Sequence, residues 1–165
     1  MTKCVVAVTG HRDVLESIVL KKEIASFFDD ILARYDAVTL LSPLAEGADT
    51  LVAEIFLQRQ ADHTHSKLEV PLPLSKVAYM KTFSKAYQKR FVSLLAQADI
   101  IFEVPKICEH SFENLGRYMV THSDVLLALW DGIDNGLQGG TADVVRYAKN
   151  LKKPITHIKV TRQNH

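Results

Sequence analysis

Three short stretches concentrate the residue types that bind polar ligands. They are "TGHRD" (Thr9 to Asp13), "SPLAEGAD" (Ser42 to Asp49) and "WDGIDNGLQGGTAD" (Trp130 to Asp143). In the first, Gly10 lets backbone approach a ligand closely, and Arg12 supplies a fork of donors suited to phosphate or carboxylate. Read without a ligand, the same residues are a turn glycine, a partly exposed His11 and Asp13 as a helix cap. In the second, Glu46 is either a solvated loop acid or a partner for a sugar hydroxyl or a base edge, and Gly47 precedes a helix. Asp49 falls in the first helical turn, where an acid complements the helix dipole. In the third, Gly139, Gly140 and Thr141 stand at the entrance to a helix whose Val144, Val145 and Ala148 form an apolar face. Free amides at such a start attract anions, whereas the bland alternative makes Thr141 a cap and the glycines a flexible turn. The stretch is neither a Walker A loop, which needs a lysine before the hydroxyl residue, nor a dinucleotide GxGxxG turn.

These stretches need a scaffold that brings them together, and the hydrophobic pattern describes one. Short apolar runs alternate with segments of three- and four-residue periodicity. Strands are expected at Lys3 to Thr9, Ala37 to Ser42, Lys67 to Pro71, Asp99 to Val104, Asp124 to Trp130 and Ile155 to Val160. Helices are expected at about Val14 to Arg34, Ala48 to Gln60, Lys76 to Gln97, Phe112 to His122 and Thr141 to Leu151. Runs such as "CVVAV", "DIIFEV" and "DVLLALW" are near-continuously apolar, the signature of strands covered on both faces. In the first helix Val14, Ile18, Ile24, Phe28, Ile31 and Leu32 form the expected buried stripe. The fold class is therefore α/β, a three-layer, Rossmann-like, doubly wound and mostly parallel sheet of about six strands. In such sheets ligands bind outside the carboxyl ends of the strands, which is where all three stretches fall.

Composition narrows the function. The 165 residues suit one domain, spanning 1–165, with 47% apolar and 24% charged residues. No segment approaches the ~20 uninterrupted apolar residues of a membrane span, and the start "MTKCVVAVTG" reads as a strand rather than a secretion signal. Cys4 and Cys108 are too few for a disulfide framework, so a cytoplasmic protein is expected. A net charge of +1 with well-mixed signs argues against nucleic acid. His63 and His65 lack ligand companions at metal spacing; neither a metal nor a cofactor is expected. Cys108, Glu109 and His110 adjoin in sequence only, and Phe83, Tyr87 and Phe91 read as core. The tail "TRQNH" is expected to fray.

Taken together, "VTGHRD", "LLSPLAEGADTLVAE", "VPLPLSKVAYMKTF", "ENLGRYMVTHSDVLLALWDG" and "GGTADVVRYAKNLKKPI" resemble a bacterial SLOG-type Rossmannoid domain across about Lys3 to Ile158. That superfamily includes the LONELY GUY cytokinin-activating phosphoribohydrolases, the DNA-processing protein A domain and the nucleotide-sensing region of melastatin channels. The resemblance implies a nucleotide or nucleotide-derived ligand at the carboxyl edge of the sheet, and a homodimer. The phosphoribohydrolases carry an arginine on the helix before the fifth strand, matched here by Arg117. Their "PGGxGTxxE" glutamate acts on the ribose, but three residues after Thr141 this chain has Val144. Asp143 lies one residue early, turned by ~100° on a helix. The "SPLAEGAD" turn is similar in form to the glycine-rich turn of DNA-processing protein A, without its extra glycines or basic partner.

The primary expectation is a sensor or accessory module for a nucleotide derivative, such as an ADP-ribose or cyclic nucleotide. Its ligand-binding residues are Thr9, Gly10, His11, Arg12, Glu46, Gly47, Asp131, Gly132, Gly139, Gly140 and Thr141. The alternative is a nucleoside 5'-monophosphate phosphoribohydrolase or related N-glycosidase, with Arg117, Asp143 and Glu46 as catalytic residues. A nucleic-acid adaptor comes third.

Overall fold

In the structure, a computed structural model describing residues 1–163, six strands form one parallel sheet. They are β1 (Lys3–Gly10), β2 (Ala37–Leu41), β3 (Lys67–Leu72), β4 (Ile100–Glu103), β5 (Val125–Trp130) and β6 (Ile155–Lys159). The helices are α1 (Ile18–Arg34), α2 (Ala48–Arg59), α3 (Lys76–Met80), α4 (Lys85–Leu95), α5 (Ser111–Thr121) and α6 (Thr141–Asn150). Strand order is β4-β3-β2-β1-β5-β6. The chain steps outward from β1 to β4, then returns to lay β5 beside β1, pairing Val6 with Val125 and Gly10 with Leu129. The loops after β1 and β5 thus leave in opposite directions and open a crevice at their carboxyl ends.

Alternation along the strands builds two cores. Val6, Val8, Leu127 and Leu129 point to the layer of α1, α2 and α4, whereas Ala7, Leu126, Ala128 and Trp130 point to α5 and α6. The apolar character of "CVVAV" and "DVLLALW" thus reflects central strands with both faces covered. The run "DIIFEV" does not follow suit: β4 is the sheet's edge, where Ile100 and Ile101 are exposed.

Three local expectations are corrected. Helix α1 begins at Ile18, not Val14, because Ser17 caps it by accepting the Leu20 N–H at 3.0 Å. Ile18 is consequently exposed, while Val14 is buried before the helix and bridges to Arg162. The helix expected from Lys76 to Gln97 is two, because Ser84 caps α4 by accepting the Tyr87 N–H. Tyr79, Phe83, Tyr87 and Phe91 keep their four-residue spacing across the break and pack in one aromatic cluster. Thr161 and Gln163 of the tail are tied down, accepting from Leu15 N at 2.8 Å and donating to Asp13 O at 2.7 Å; the expected fraying at Asn164 and His165 lies outside the described residues.

Candidate functional site

The crevice between β1 and β5 deepens into a cavity of about 460 Å³, within the size range of small-molecule sites. Its first wall is the end of β1. Gly10 lies so close to α2 and β5 that a side chain there would collide with Ala48 and come within 3.0 Å of the Leu129 carbonyl. After it, His11 Nε2 stands 3.2 Å from the Asp131 amide nitrogen and 3.3 Å from Asp131 Oδ1. The ring is therefore held to Asp131 in either neutral tautomer, accepting from the amide or donating to the carboxylate. Burial and the nearby Arg162 push the His11 pKa down, so the neutral form prevails at neutral pH. Burial opposes ionisation of Asp131, but the Ile133 amide and His11 hold its carboxyl below the usual range.

Arg12 crosses toward the opposite wall. Its Nη1 donates to the Thr82 carbonyl at 3.1 Å, and its guanidinium lies 5.1 Å and 5.9 Å from the ring centres of Phe83 and Phe112. Stacking with two aromatics fixes the plane of the fork while leaving donors for an anion. A second cation, Arg162, also lines the cavity, with its Nε donating to Asp13 Oδ1 at 2.8 Å. The expected capping role of Asp13 is replaced by this pair.

The third wall is the entrance to α6. Gly139 adopts φ +77° and donates its N–H to Asp143 Oδ2 at 2.9 Å. Gly140 is the N-cap, with no side-chain cap bond, so Thr141 does not cap the helix. Among the described residues, the N–H groups of Gly140, Thr141 and Ala142 have no partner, nor does the Thr141 hydroxyl, whose residue is 9% exposed. Thr9 and Tyr79 also line the cavity, and neither side-chain hydroxyl makes a hydrogen bond among the described residues. No buried side-chain polar atom among the described residues lacks a partner, so these three hydroxyls keep accessible surface, and all three residues line the cavity. Phe112, Leu115 and Met119 give the lining an apolar side.

Of the residues singled out from sequence, Thr9, Gly10, His11, Arg12, Asp131, Gly139, Gly140 and Thr141 meet at this cavity. The others lie elsewhere. Glu46 accepts from Ser84 N at 3.1 Å and Ser84 Oγ at 3.0 Å, and Gly47 packs on the backbone of Arg12. Gly132 turns beside His157. Arg117 grips Glu113 at 2.6 Å and covers the Tyr147 ring at 4.5 Å. Asp143 is engaged by Gly139 and by Arg146 at 3.1 Å.

Sequence reasoning missed Asp49, Tyr79 and Arg162, all of which line the cavity. Asp49 is only 5% exposed, and burial pushes its carboxyl up to about 7 against the opposing pull of the Ala45 amide and Arg12. A signal was available: Asp49 stands in the first turn of α2 among Ala48, Leu51, Val52 and Ala53, on the part of the helix that is apolar. Eight of its twelve residues are buried.

No protein-family model matches the chain, and no curated protein matches its sequence. Solved structures share its fold. DNA processing protein A from Helicobacter pylori, described for its single-stranded DNA binding mode, superposes with a TM-score of 0.63 at 18% identity, over 99% of this chain and 68% of that one. The molybdenum cofactor carrier protein from Chlamydomonas reinhardtii superposes with a TM-score of 0.52 at 16% identity, over 94% and 76%. At these identities the likeness is one of fold: the chain is a Rossmann-like α/β protein of the kind used by both. The neighbour described for single-stranded DNA leaves the charge-based expectation against nucleic acid without support from the comparisons. No helix among the described residues is long and apolar enough to cross a membrane.

Because the Thr141 hydroxyl bonds to nothing within the described chain, Thr141→Val is expected to leave thermal stability within about 0.5 kcal/mol of the original. A larger loss in a melting experiment would show that the hydroxyl serves the fold instead.

Proposed function

We propose that the protein is a SLOG-type binding domain for a nucleotide-derived ligand and works as a sensor or accessory module. The observation that carries the reading is the convergence, on one cavity at the β1/β5 crevice, of Arg12, Arg162 and the unpartnered α6 amides with an apolar wall. Cations and amides suit phosphate, and the Phe112, Leu115 and Met119 side suits a flat base or a sugar face. Gly139, Gly140 and Thr141 with Arg12 take the phosphate in this reading, while His11 and Asp131 hold the end of β1 in place. ADP-ribose or a cyclic nucleotide fits the requirement for phosphate plus a less polar body.

The hydrolase alternative has less support, since Arg117, Asp143 and Glu46 are each engaged by other protein groups and none of them lines the cavity. A homodimer, from the family resemblance, and a cytoplasmic location, from the cysteine usage, belong to the same proposal. Binding at one hundred times the dissociation constant stabilises the folded state by about 2.7 kcal/mol, so ADP-ribose or 3',5'-cyclic AMP is expected to raise the melting temperature by several degrees. Absence of any shift across a nucleotide panel would remove the reading. Release of free base from nucleoside monophosphates would replace the sensor with the hydrolase.

A further inference from the structure

Asp49 is the least accounted for of the cavity's charged residues. It stands in the first turn of α2, 5% exposed, and its Oδ2 accepts the Ala45 N–H at 3.2 Å. Its Oδ1 has no hydrogen-bond partner, and no lysine, arginine or histidine lies within ion-pair distance among the described residues. The residue lines the same cavity as Arg12 and Thr141. Arg12 faces it from the β1–α1 loop, Tyr79 from α3 and Tyr87 from α4, and Tyr87 is already committed to the Leu44 carbonyl and Thr50. His11, Asp131 and Arg162 complete the charged lining. A carboxylate in this position has one amide for its negative charge, while a neutral acid could keep that bond and turn an O–H into the cavity.

We propose that Asp49 is a ligand-contacting residue of the cavity that accepts an anionic ligand in its protonated form, so that binding takes up a proton from solution. This rests on the nucleotide-binding reading above. The carboxyl loses no bond to the protein on protonation, gains a donor toward the ligand, and ceases to repel the incoming phosphate. Burial pushes the carboxyl up to about 7, so the competent fraction falls as pH rises through that range. Affinity falls with it. The sign for stability is the same. The folded-state value is raised above the unfolded one, so the contribution of Asp49 to stability is fully present below the ordinary aspartate pKa and is lost as pH rises toward and through about 7.

The test uses ADP-ribose, whose phosphates keep a constant charge between pH 6 and 8, with the intact chain and Asp49→Asn. The asparagine retains an acceptor for Ala45 N–H and cannot titrate. The wild-type dissociation constant is expected to be about tenfold weaker at pH 8 than at pH 6, with no such change in Asp49→Asn. Calorimetry of the wild type in two buffers of different ionisation enthalpy should report proton uptake at pH 8, independently of any variant. A pH slope that persists in Asp49→Asn assigns it to another group, such as His11, and overturns the inference. Equal wild-type affinity at both pH values overturns it while leaving the nucleotide reading intact. Failure of ADP-ribose to bind at any pH overturns the inference, and failure of the whole nucleotide panel overturns the nucleotide reading as well.

Discussion

Gly47→Ala is expected to be the most damaging single-methyl change in the protein. Gly47 sits at φ +92° and ψ −120°, a combination essentially closed to side chains, and is the N-cap of α2. A Cβ there would collide with the Arg12 carbonyl group and stand 2.6 Å from the Arg12 Cα. The two loops are locked by Ala48 N–H donating to the His11 carbonyl at 3.0 Å, so neither can retreat without losing the other. Backbone strain costs about 1–3 kcal/mol and overpacking a similar amount, giving roughly 2–6 kcal/mol. In a chain of this length that is a fall in melting temperature on the order of 10 °C. Gly136→Ala is the matched control, since Gly136 also has positive φ, at +72°, but nothing lies within 4 Å of an added Cβ. It should show only the strain. Equal melting temperatures for the two variants would remove the Arg12 contact as the cause. Gly47→Ala also pushes on the backbone of Arg12, so ligand affinity should fall even at temperatures where the variant is folded.

That glycine illustrates how the sequence could be read in part. Gly47 before a helix is visible in "AEGAD", but its reason lies in Arg12, thirty-five residues earlier, and sequence offers no register between the two loops. What was legible depended on periodicity. Strand β5 is apolar at every position and β1 from Cys4 to Val8, because the sheet is covered on both sides, and from them the parallel α/β class follows. The gathering of "TGHRD" and "GGTAD" follows in turn, since the loops after parallel strands emerge at one edge. Three of the sites went unread for distinct physical reasons. Tyr79 lies in a stretch whose aromatic spacing is the same whether or not the helix breaks, so the short cap at Ser84 was outweighed by the pattern. Arg162 belongs to a tail whose composition predicts fraying, while its pairing with Asp13 is a contact across 149 residues. Asp49 carries an acid in a first helical turn, which the dipole explains equally well; only its burial separates the two roles.

The same logic explains why the residues borrowed from the phosphoribohydrolases do not assemble. Arg117 has Glu113 one turn before it on α5, an i,i+4 pair that satisfies the guanidinium locally and pushes its pKa up. Asp143 reaches back four residues to the Gly139 amide, a bond that shapes the α6 entrance. Both side chains thereby support the walls of the cavity from behind.

Arg12 is the residue on which binding should depend most steeply. Its fork lies against Phe83 and Phe112 with one donor spent on the Thr82 carbonyl, so the remaining donors are held in a fixed plane before a ligand arrives. Holding them in advance means little side-chain entropy is lost on binding. A charge-assisted hydrogen bond contributes about 1.5–3 kcal/mol, and a bidentate one toward phosphate more. Arg12→Ala is therefore expected to weaken ADP-ribose binding by roughly 30- to 300-fold, read by calorimetry. Stability should fall by only about 1–2 kcal/mol, the loss of one hydrogen bond and a cation–aromatic contact. Arg12→Lys discriminates between charge and geometry. A lysine keeps the charge but has neither the planar fork nor the stacking surface, so it should recover less than a tenth of the lost affinity. Full recovery by lysine would reduce Arg12 to a source of positive potential. Loss of stability in Arg12→Ala without loss of binding would make it a structural tie between the β1–α1 loop and Thr82, and would move the phosphate site to Arg162 and the start of α6.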